Sequence, residues 1–369
     1  MKAWPILGIS LMQAFLLAAH WFIYRTVIDF WPSVSPAGAA ALRLALLILG
    51  FSFIAAALLG FRYDNGPVRL LYRLAAIWLG FLNYFFFASC LCLLTGFAWL
   101  LAGLQPNRPL IAMVFFGLAL LAGVYGLLNA RWVRIRRITV TLPGLPEQWL
   151  GRTALLLSDL HLGNVIGSKF SRHMAKLAAR LNPDIVFIPG DLFDGTQVDP
   201  DRLIAPFREL APPFGTYFAT GNHEEFGDEA RYEAALTRAG IRVLTNEMVT
   251  VDGLHILGVP YRDSTSPIHL RTTLENLRPE SSQASILLNH MPSRLPIVER
   301  AGVSLQLSGH THGGQLIPFT WFTRRVFGEF THGLQRFGEL QVYTSSGAGT
   351  WGPPMRVGTH PEIVLITFA

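Results

Sequence analysis

The distribution of charge along the first third of the chain constrains the fold more than any other feature. Trp4 to Tyr24, Gly38 to Phe61, Leu74 to Leu104 and Leu110 to Asn129 are apolar runs. Each has at least the roughly 20 residues that a helix needs to cross a bilayer. Trp21 and Tyr24 stand where interfacial aromatics belong. Lys2 ahead of an apolar core with Ala18-Ala19 near its end also fits a signal peptide, but three further runs favour a retained first helix. The overall composition, 51% hydrophobic and 15% charged, averages this stretch with an ordinary soluble part.

Four spans return the chain to its starting side. Lys2, Arg62, Arg69, Arg73 and the cluster Arg131, Arg134, Arg136 and Arg137 would share that side, against Arg25, Arg43 and Arg108 on the other. The bias of Lys and Arg toward the inner side therefore predicts a cytoplasmic globular part. The net charge of +6 comes largely from arginines beside apolar spans, which suit anionic lipid, so no nucleic-acid partner is expected. The cysteines, Cys90 and Cys92, diverge inside an apolar helical run and form no disulfide framework, as in a reducing compartment. The expected division is residues 1–130 as a four-helix, all-α transmembrane bundle and 131–369 as an α/β catalytic domain.

Residues 133–142 (VRIRRITVTL) alternate apolar and polar side chains, which predicts an edge strand directly after the last span. Beyond it, apolar strands repeatedly end in metal-ligating residue types. Leu155-Leu156-Leu157-Ser158 delivers Asp159 and His161, and Ile185-Val186-Phe187-Ile188-Pro189-Gly190 delivers Asp191. Tyr217-Phe218-Ala219-Thr220-Gly221 delivers Asn222, His223 and Glu224; Ile286-Leu287-Leu288-Asn289 delivers His290; Leu305-Gln306-Leu307-Ser308-Gly309 delivers His310 and His312. Helices are predicted between them, one with Phe170, Met174, Leu177 and Leu181 on a single face, one capped by Asp199 or Asp201, and one from Gly227 to Ala239. Strands are predicted over 242–244, 248–251, 254–259, 340–344 and 363–368, in all two packed β-sheets flanked by helices.

Asp-x-His, Gly-Asp, Gly-Asn-His-Glu, a lone His after a strand and Gly-His-Thr-His, in that order, resemble the calcineurin-like metallophosphoesterases, in particular their bacterial membrane-anchored branch. Alone, an Asp-x-His at a strand end is more often turn chemistry, and Gly-Asp means little; it is the joint occurrence that is specific. The resemblance, which runs from about Val133 onward, implies two divalent metal ions, Mn, Fe, Zn or Co. It implies Asp159, His161, Asp191 and His312 on the first, and Asp191, Asn222, His290 and His310 on the second, with Asp191 as bridge. His223 is then left to stabilise or protonate the leaving oxygen, with Glu224 orienting it. It also implies a multi-pass protein of the bacterial inner membrane.

One departure bears on substrate. The protein phosphatases of this superfamily carry an Arg soon after Gly-Asp, and residues 191–196 (DLFDGT) have none, so a dianionic monoester loses a bidentate partner. A phosphodiester or pyrophosphate, lipid-linked or nucleotide-linked, fits better than a phosphomonoester. A non-catalytic metal-binding sensor or scaffold is the alternative of another class, and it would be marked by missing ligands. His173, His255, His269, His332 and His360 read as surface or packing residues, His20 as a snorkelling or helix-contact residue, and Asp194 as a brace for the Asp191 loop. Ser345-Ser346-Gly347-Ala348-Gly349 with Trp351 either borders the site mouth or is a plain turn.

Overall fold

The computed structural model describes residues 3–279 and 282–369, so Lys2 of the charge bias lies outside the described residues. The chain divides into two compact units, Met1–Leu128 with Gly352–Met355, and Asn129–Trp351 with Arg356–Ala369. The first holds helices α1 (Ala3–Phe30), α2 (Pro36–Gly60), α3 (Gly66–Leu101) and α4 (Arg108–Asn129). All four are long and apolar enough to cross a membrane, and side chains such as Leu44, Ile48, Phe97 and Leu121 are exposed.

Local chemistry sets the helix ends. Ser35 caps α2 by accepting from the Gly38 amide at 3.1 Å, with Pro36 in the first turn. α3 begins at Gly66 rather than Leu74, because Asn65 caps it by accepting from the Val68 amide at 3.0 Å and Pro67 occupies its first turn. Arg69 and Arg73 therefore belong to α3, and Arg69 pairs with Asp64. His20 is buried in this unit. The Trp78 indole, which can only donate, gives a 2.8 Å hydrogen bond to its Nε2, so Nδ1 carries the proton donated to the Leu16 carbonyl at 2.7 Å. That bond ties α1 to α3.

The second unit continues with β1 (Arg134–Val140), β2 (Thr153–Leu156), α5 (Ser168–Leu181), β3 (Ile185–Ile188), α6 (Pro200–Ile204), β4 (Thr216–Phe218), α7 (Asn222–Phe226), α8 (Glu229–Arg238) and β5 (Ile241–Val243). Then come β6 (Glu247–Val251), β7 (Leu254–Val259), α9 (Tyr261–Thr265), α10 (Pro267–Leu277), β8 (Ser285–Asn289), α11 (Leu295–Arg300) and β9 (Leu305–Ser308). α12 (Phe319–Phe327), β10 (Gly333–Phe337), β11 (Leu340–Thr344) and β12 (Glu362–Phe368) complete it. The sheets have the orders β1-β12-β2-β3-β4-β5 and β10-β11-β9-β8-β7-β6. β1 is the edge strand that its alternation predicts. The helix predicted from Gly227 to Ala239 is α8, which begins two residues later because Asp228 caps it, accepting from the Arg231 amide at 3.3 Å.

Side-chain alternation builds the layers. Ala154 and Leu156 of β2 and Phe187 of β3 meet Ile256, Ile286, Leu288, Leu305 and Leu307 in the core between the sheets. Their neighbours Leu155, Val186 and Ile188 face the other way, onto Met174, Ala175 and Ala178 of α5 and Leu236 of α8. On the second sheet Leu257, Val259 and Leu287 pack on Leu270 and Leu274 of α10 and Val298 of α11. Both sheets are thus sealed on both faces, which explains the unbroken apolar runs of the central strands. β2, β3 and β4 are parallel in one sheet and β7, β8 and β9 in the other. Within each sheet the carboxyl ends of these strands share an edge, where open α/β sheets place their sites.

Candidate metal centre

Eight side chains delivered by five strand ends converge: Asp159 and His161 after β2, Asp191 after β3, Asn222 and His223 after β4, His290 after β8, and His310 and His312 after β9. Ligand-type atoms of Asp159, His161 and His312 lie within 4.8 Å of one another, as do those of Asp191, His290 and His310, and of His161, Asp191 and His223. Asp191 joins the groups, with its Oδ2 3.7 Å from His161 Nε2 and 3.1 Å from His290 Nε2. Its other oxygen, Oδ1, is fixed by the His223 amide at 3.0 Å. Asn222 enters through its Oδ1, 3.0 Å from His310 Nδ1.

The backbone meets these positions at a cost. Asp159, His161, Asp191, His310 and His312 all have positive φ, between 47° and 68°. Left-handed geometry in residues other than Gly is uncommon, though Asp, Asn and His tolerate it best, and it gathers at sites that surrounding structure over-determines. Gly190 and Gly221 allow the tips of β3 and β4 to close on each other. A Cβ on Gly190 would lie 2.6 Å from the Gly221 amide nitrogen, and one on Gly221 would lie 2.6 Å from that of Asp191.

The donor set suits divalent cations. His161 and His312 face each other through Nε2 at 2.9 Å, and burial holds both imidazoles well below their usual range, so both are neutral and one of these nitrogens can present a bare lone pair without an added proton. Burial, with the charge of His290, brings His310 down to about 4. His290 resists burial because of the Asp191 carboxylate, which pushes it up to about 9; the same partnership, against the effect of burial, keeps Asp191 ionised. Its Nδ1 donates to the Pro189 carbonyl at 2.8 Å, which orients the ring with Nε2 toward Asp191. His161 Nδ1 is buried without a hydrogen-bond partner among the described residues, His290 Nε2 faces the Asp191 carboxylate at 3.1 Å, and Asp159 is raised by burial to about 6. Buried nitrogens and carboxylate oxygens converging in this way are what a cation of mixed N/O preference requires.

His223 takes its orientation from Asp194, not Glu224. Its Nδ1 donates to the Asp194 carbonyl at 2.9 Å, which leaves Nε2 as the nitrogen with an open lone pair. Asp194 in turn accepts from the Thr196 amide and hydroxyl at 2.9 and 2.5 Å and from the Asn164 amide at 3.2 Å, a brace for the loop after Asp191. Glu224 is fully buried and accepts from the amides of Asp191, Phe193 and Gly221 at 3.0, 2.9 and 2.9 Å. It therefore shapes the Asp191 turn. Glu224→Gln, which sets an NH2 against a backbone N–H, is expected to cost about 1–3 kcal/mol, read from the denaturation midpoint, and to lower turnover with it.

Arg356 went unnoticed in the sequence. Its guanidinium is fully buried and donates to the carbonyls of Ser346, Gly347 and Gly349 at 2.6, 3.1 and 2.7 Å, and to that of His312 at 3.2 Å. Burial draws it down to about 10, so it is still charged at neutral pH. The turn it holds is the Gly-rich 345–349 segment, whose Ala348 and Gly349 amides donate to the carbonyls of Ser158 and Asp159 at 3.0 and 2.8 Å. One cation thus fastens the turn backing Asp159 to the loop of His312. The signal available was an isolated Arg soon after a Gly-rich turn. Trp351, 61% exposed with its ring 6.2 Å from that of His223, does border the site.

A family model described as calcineurin-like phosphoesterase matches residues 153–314, which include all eight converging side chains but neither α12 nor Arg356. Among curated proteins, an uncharacterised metallophosphoesterase of Aquifex aeolicus is 32% identical over 262 residues, 68% of this chain and 97% of its own length. An uncharacterised metallophosphoesterase of Campylobacter jejuni is 33% identical over 242 residues, 63% of this chain and 62% of its own. A Danio rerio transmembrane protein with metallophosphoesterase domain is 35% identical over 260 residues, 66% of this chain and 59% of its own. The chain therefore spans about three fifths of the length of the latter two.

Proposed function

Because this chain belongs to the calcineurin-like phosphoesterases and is a metal-dependent phosphoesterase, we propose that it is a membrane-anchored dinuclear hydrolase of phosphodiester or pyrophosphate bonds, with a cytoplasmic site. The observation that carries this reading is the Asp191 carboxylate oxygen set between His161 and His290, at 3.7 and 3.1 Å. Asp159, His161, Asp191 and His312 would hold one cation, and Asp191, Asn222, His290 and His310 the other. A bound pair supplies polarisation of the phosphoryl oxygens and activation of water near neutral pH.

The chain's own groups do the rest. Asp191 commits Oδ1 to the His223 amide, so Oδ2 is the oxygen left free to serve as a cation ligand. Asp194 holds the His223 ring through Nδ1–H, which leaves Nε2 to take up a proton and, once protonated, pass it to the departing oxygen. No Arg stands in residues 191–196 to grip a second phosphate charge, which favours diesters over monoesters. Four candidate spans make a lipid-linked or nucleotide-linked substrate attractive. The arginines on the α3 side and after α4 favour the cytoplasmic face of an inner membrane.

The test is metal analysis of the full chain in detergent beside hydrolysis of bis-p-nitrophenyl and p-nitrophenyl phosphate. Two ions per chain and a diester kcat/KM at least about tenfold above the monoester value are expected, a preference of about 1.4 kcal/mol. The reverse ratio would favour a phosphomonoesterase, and a metal-loaded but inert protein a sensor. Chelation should abolish turnover and added Mn, Zn, Fe or Co restore it; activity that survives complete metal removal would overturn the mechanism.

A further inference from the structure

α12 is inverted relative to a helix that packs on a core. At about 100° per residue, Thr320, Thr323 and Phe327 share one side and Phe319, Trp321, Phe322, Arg325 and Val326 spread over the other. None of its residues is buried, and Phe319, Trp321, Phe322 and Val326 are 49, 70, 65 and 74% exposed. A soluble helix turns its apolar side inward. Here the outward side is apolar and aromatic, with Arg324 and Arg325 exposed beside it and in no ion pair among the described residues.

We propose that α12 is an interfacial helix that seats the outer side of the catalytic unit in an anionic lipid surface, beside the mouth of the metal centre. Trp and Phe with flanking Arg is the composition of helices that lie in the headgroup region. Lipid is favoured over a second copy of the chain, because a twofold contact through this side would bring the arginines of two helices together, whereas anionic headgroups neutralise them. A bilayer is also at hand, since β1 starts at Arg134, five residues after the last candidate span ends at Asn129.

The helix is joined directly to the site. Its Thr320 amide donates to the Leu316 carbonyl at 3.3 Å, and a Cβ on Gly314 would lie 2.6 Å from the Thr320 nitrogen, so α12 starts hard against the His310–His312 turn. At its far end the Phe327 ring is 6.2 Å from that of His310. Exposed Phe226 and Trp351 continue an apolar rim, with rings 5.8 and 6.2 Å from that of His223. The substrate class that fits is an amphiphile whose phosphodiester or pyrophosphate headgroup enters while its chains stay in lipid. This second step rests on the hydrolase reading; the seating of α12 does not.

The test uses the full chain in nanodiscs containing phosphatidylglycerol, with a polarity-sensitive fluorophore on Phe322→Cys in a Cys90→Ala, Cys92→Ala background, and Arg180→Cys on α5 as control. Quenching by doxyl-labelled lipid is expected to be at least about fivefold stronger at 322 than at 180, and to weaken when Arg324 and Arg325 become Gln. A probe at 322 quenched by aqueous iodide as freely as the control overturns the proposal. So does a probe shielded from both quenchers and crosslinking to a second copy. For the substrate step, Trp321→Glu with Phe322→Glu should leave bis-p-nitrophenyl phosphate hydrolysis in detergent within about twofold and reduce cleavage of CDP-diacylglycerol in nanodiscs at least about tenfold. Equal effects on both substrates overturn lipid delivery. If wild type cleaves neither, the hydrolase reading fails while the quenching still decides α12.

Discussion

Asp191→Ala is expected to reduce diester turnover by about 10³- to 10⁴-fold, the rate equivalent of the several kcal/mol that metal polarisation supplies. Bound metal should fall with it, because Asp191 Oδ2 lies 3.7 Å from His161 Nε2 and 3.1 Å from His290 Nε2 and so serves both groups of ligands. The fold should survive. Glu224 is fastened to the backbone amides of Asp191, Phe193 and Gly221 rather than to the lost side chain. Circular dichroism and a thermal melt separate loss of chemistry from loss of structure, and an Asp191→Ala protein with full activity would refute the bridging role. Asp191→Asn keeps an oxygen for the His223 amide and should fold as well, yet lose nearly as much rate, because the missing element is charge.

Arg356→Met should act through stability first. It strands the carbonyls of Ser346, Gly347, Gly349 and His312 in the interior, and leaving buried acceptors unsatisfied costs about 1–3 kcal/mol for each group, so a loss of at least about 3 kcal/mol is expected. At about 2–4 °C per kcal/mol for a unit of this size, the melting temperature should drop by about 10 °C. Arg356→Lys should recover only part of this, since three donors on one nitrogen cannot match the guanidinium fork. Both substitutions loosen the turn behind Asp159 and the loop of His312 together. In folded protein the affinity for the cation held there is therefore expected to fall about 10- to 100-fold, as when outer supports of ligands are removed. Unchanged metal affinity and melting temperature in Arg356→Met would show that the cation merely fills space.

The strand tips were legible because the central strands, buried on both faces, are unbroken apolar runs that end abruptly in Asp, Asn or His. The four long helices were legible from length alone. What escaped the sequence depends on contacts between distant segments. Glu224 looked like a partner of its neighbour His223, and only the folded β3–β4 edge reveals that it caps the Asp191 turn across 33 positions. Arg356 carries no motif, since most of its partners are backbone carbonyls that any residue offers, and the His312 ring nitrogen it also meets lies 44 positions away. α12 was invisible for a different reason. Aromatic and basic residues in a short run after a Gly-rich loop give no period strong enough to separate helix from loop, and their outward orientation exists only in three dimensions. Hydropathy alone starts α3 at Leu74 because Arg69 and Arg73 interrupt the apolar run, whereas Asn65 and Pro67 already open the helix.

The place of β12 has a consequence for biogenesis. It pairs with β1 on one side and β2 on the other, Arg134 opposite Glu362 and Leu156 opposite Val364, so everything between those strands must emerge from the ribosome before the first sheet can close. β1, synthesised immediately after the hydrophobic helices, waits for most of translation with its inner edge unpaired, and such an edge is a template for mispairing. The arginines at 134, 136 and 137 give that waiting strand a charge that discourages association with another nascent chain.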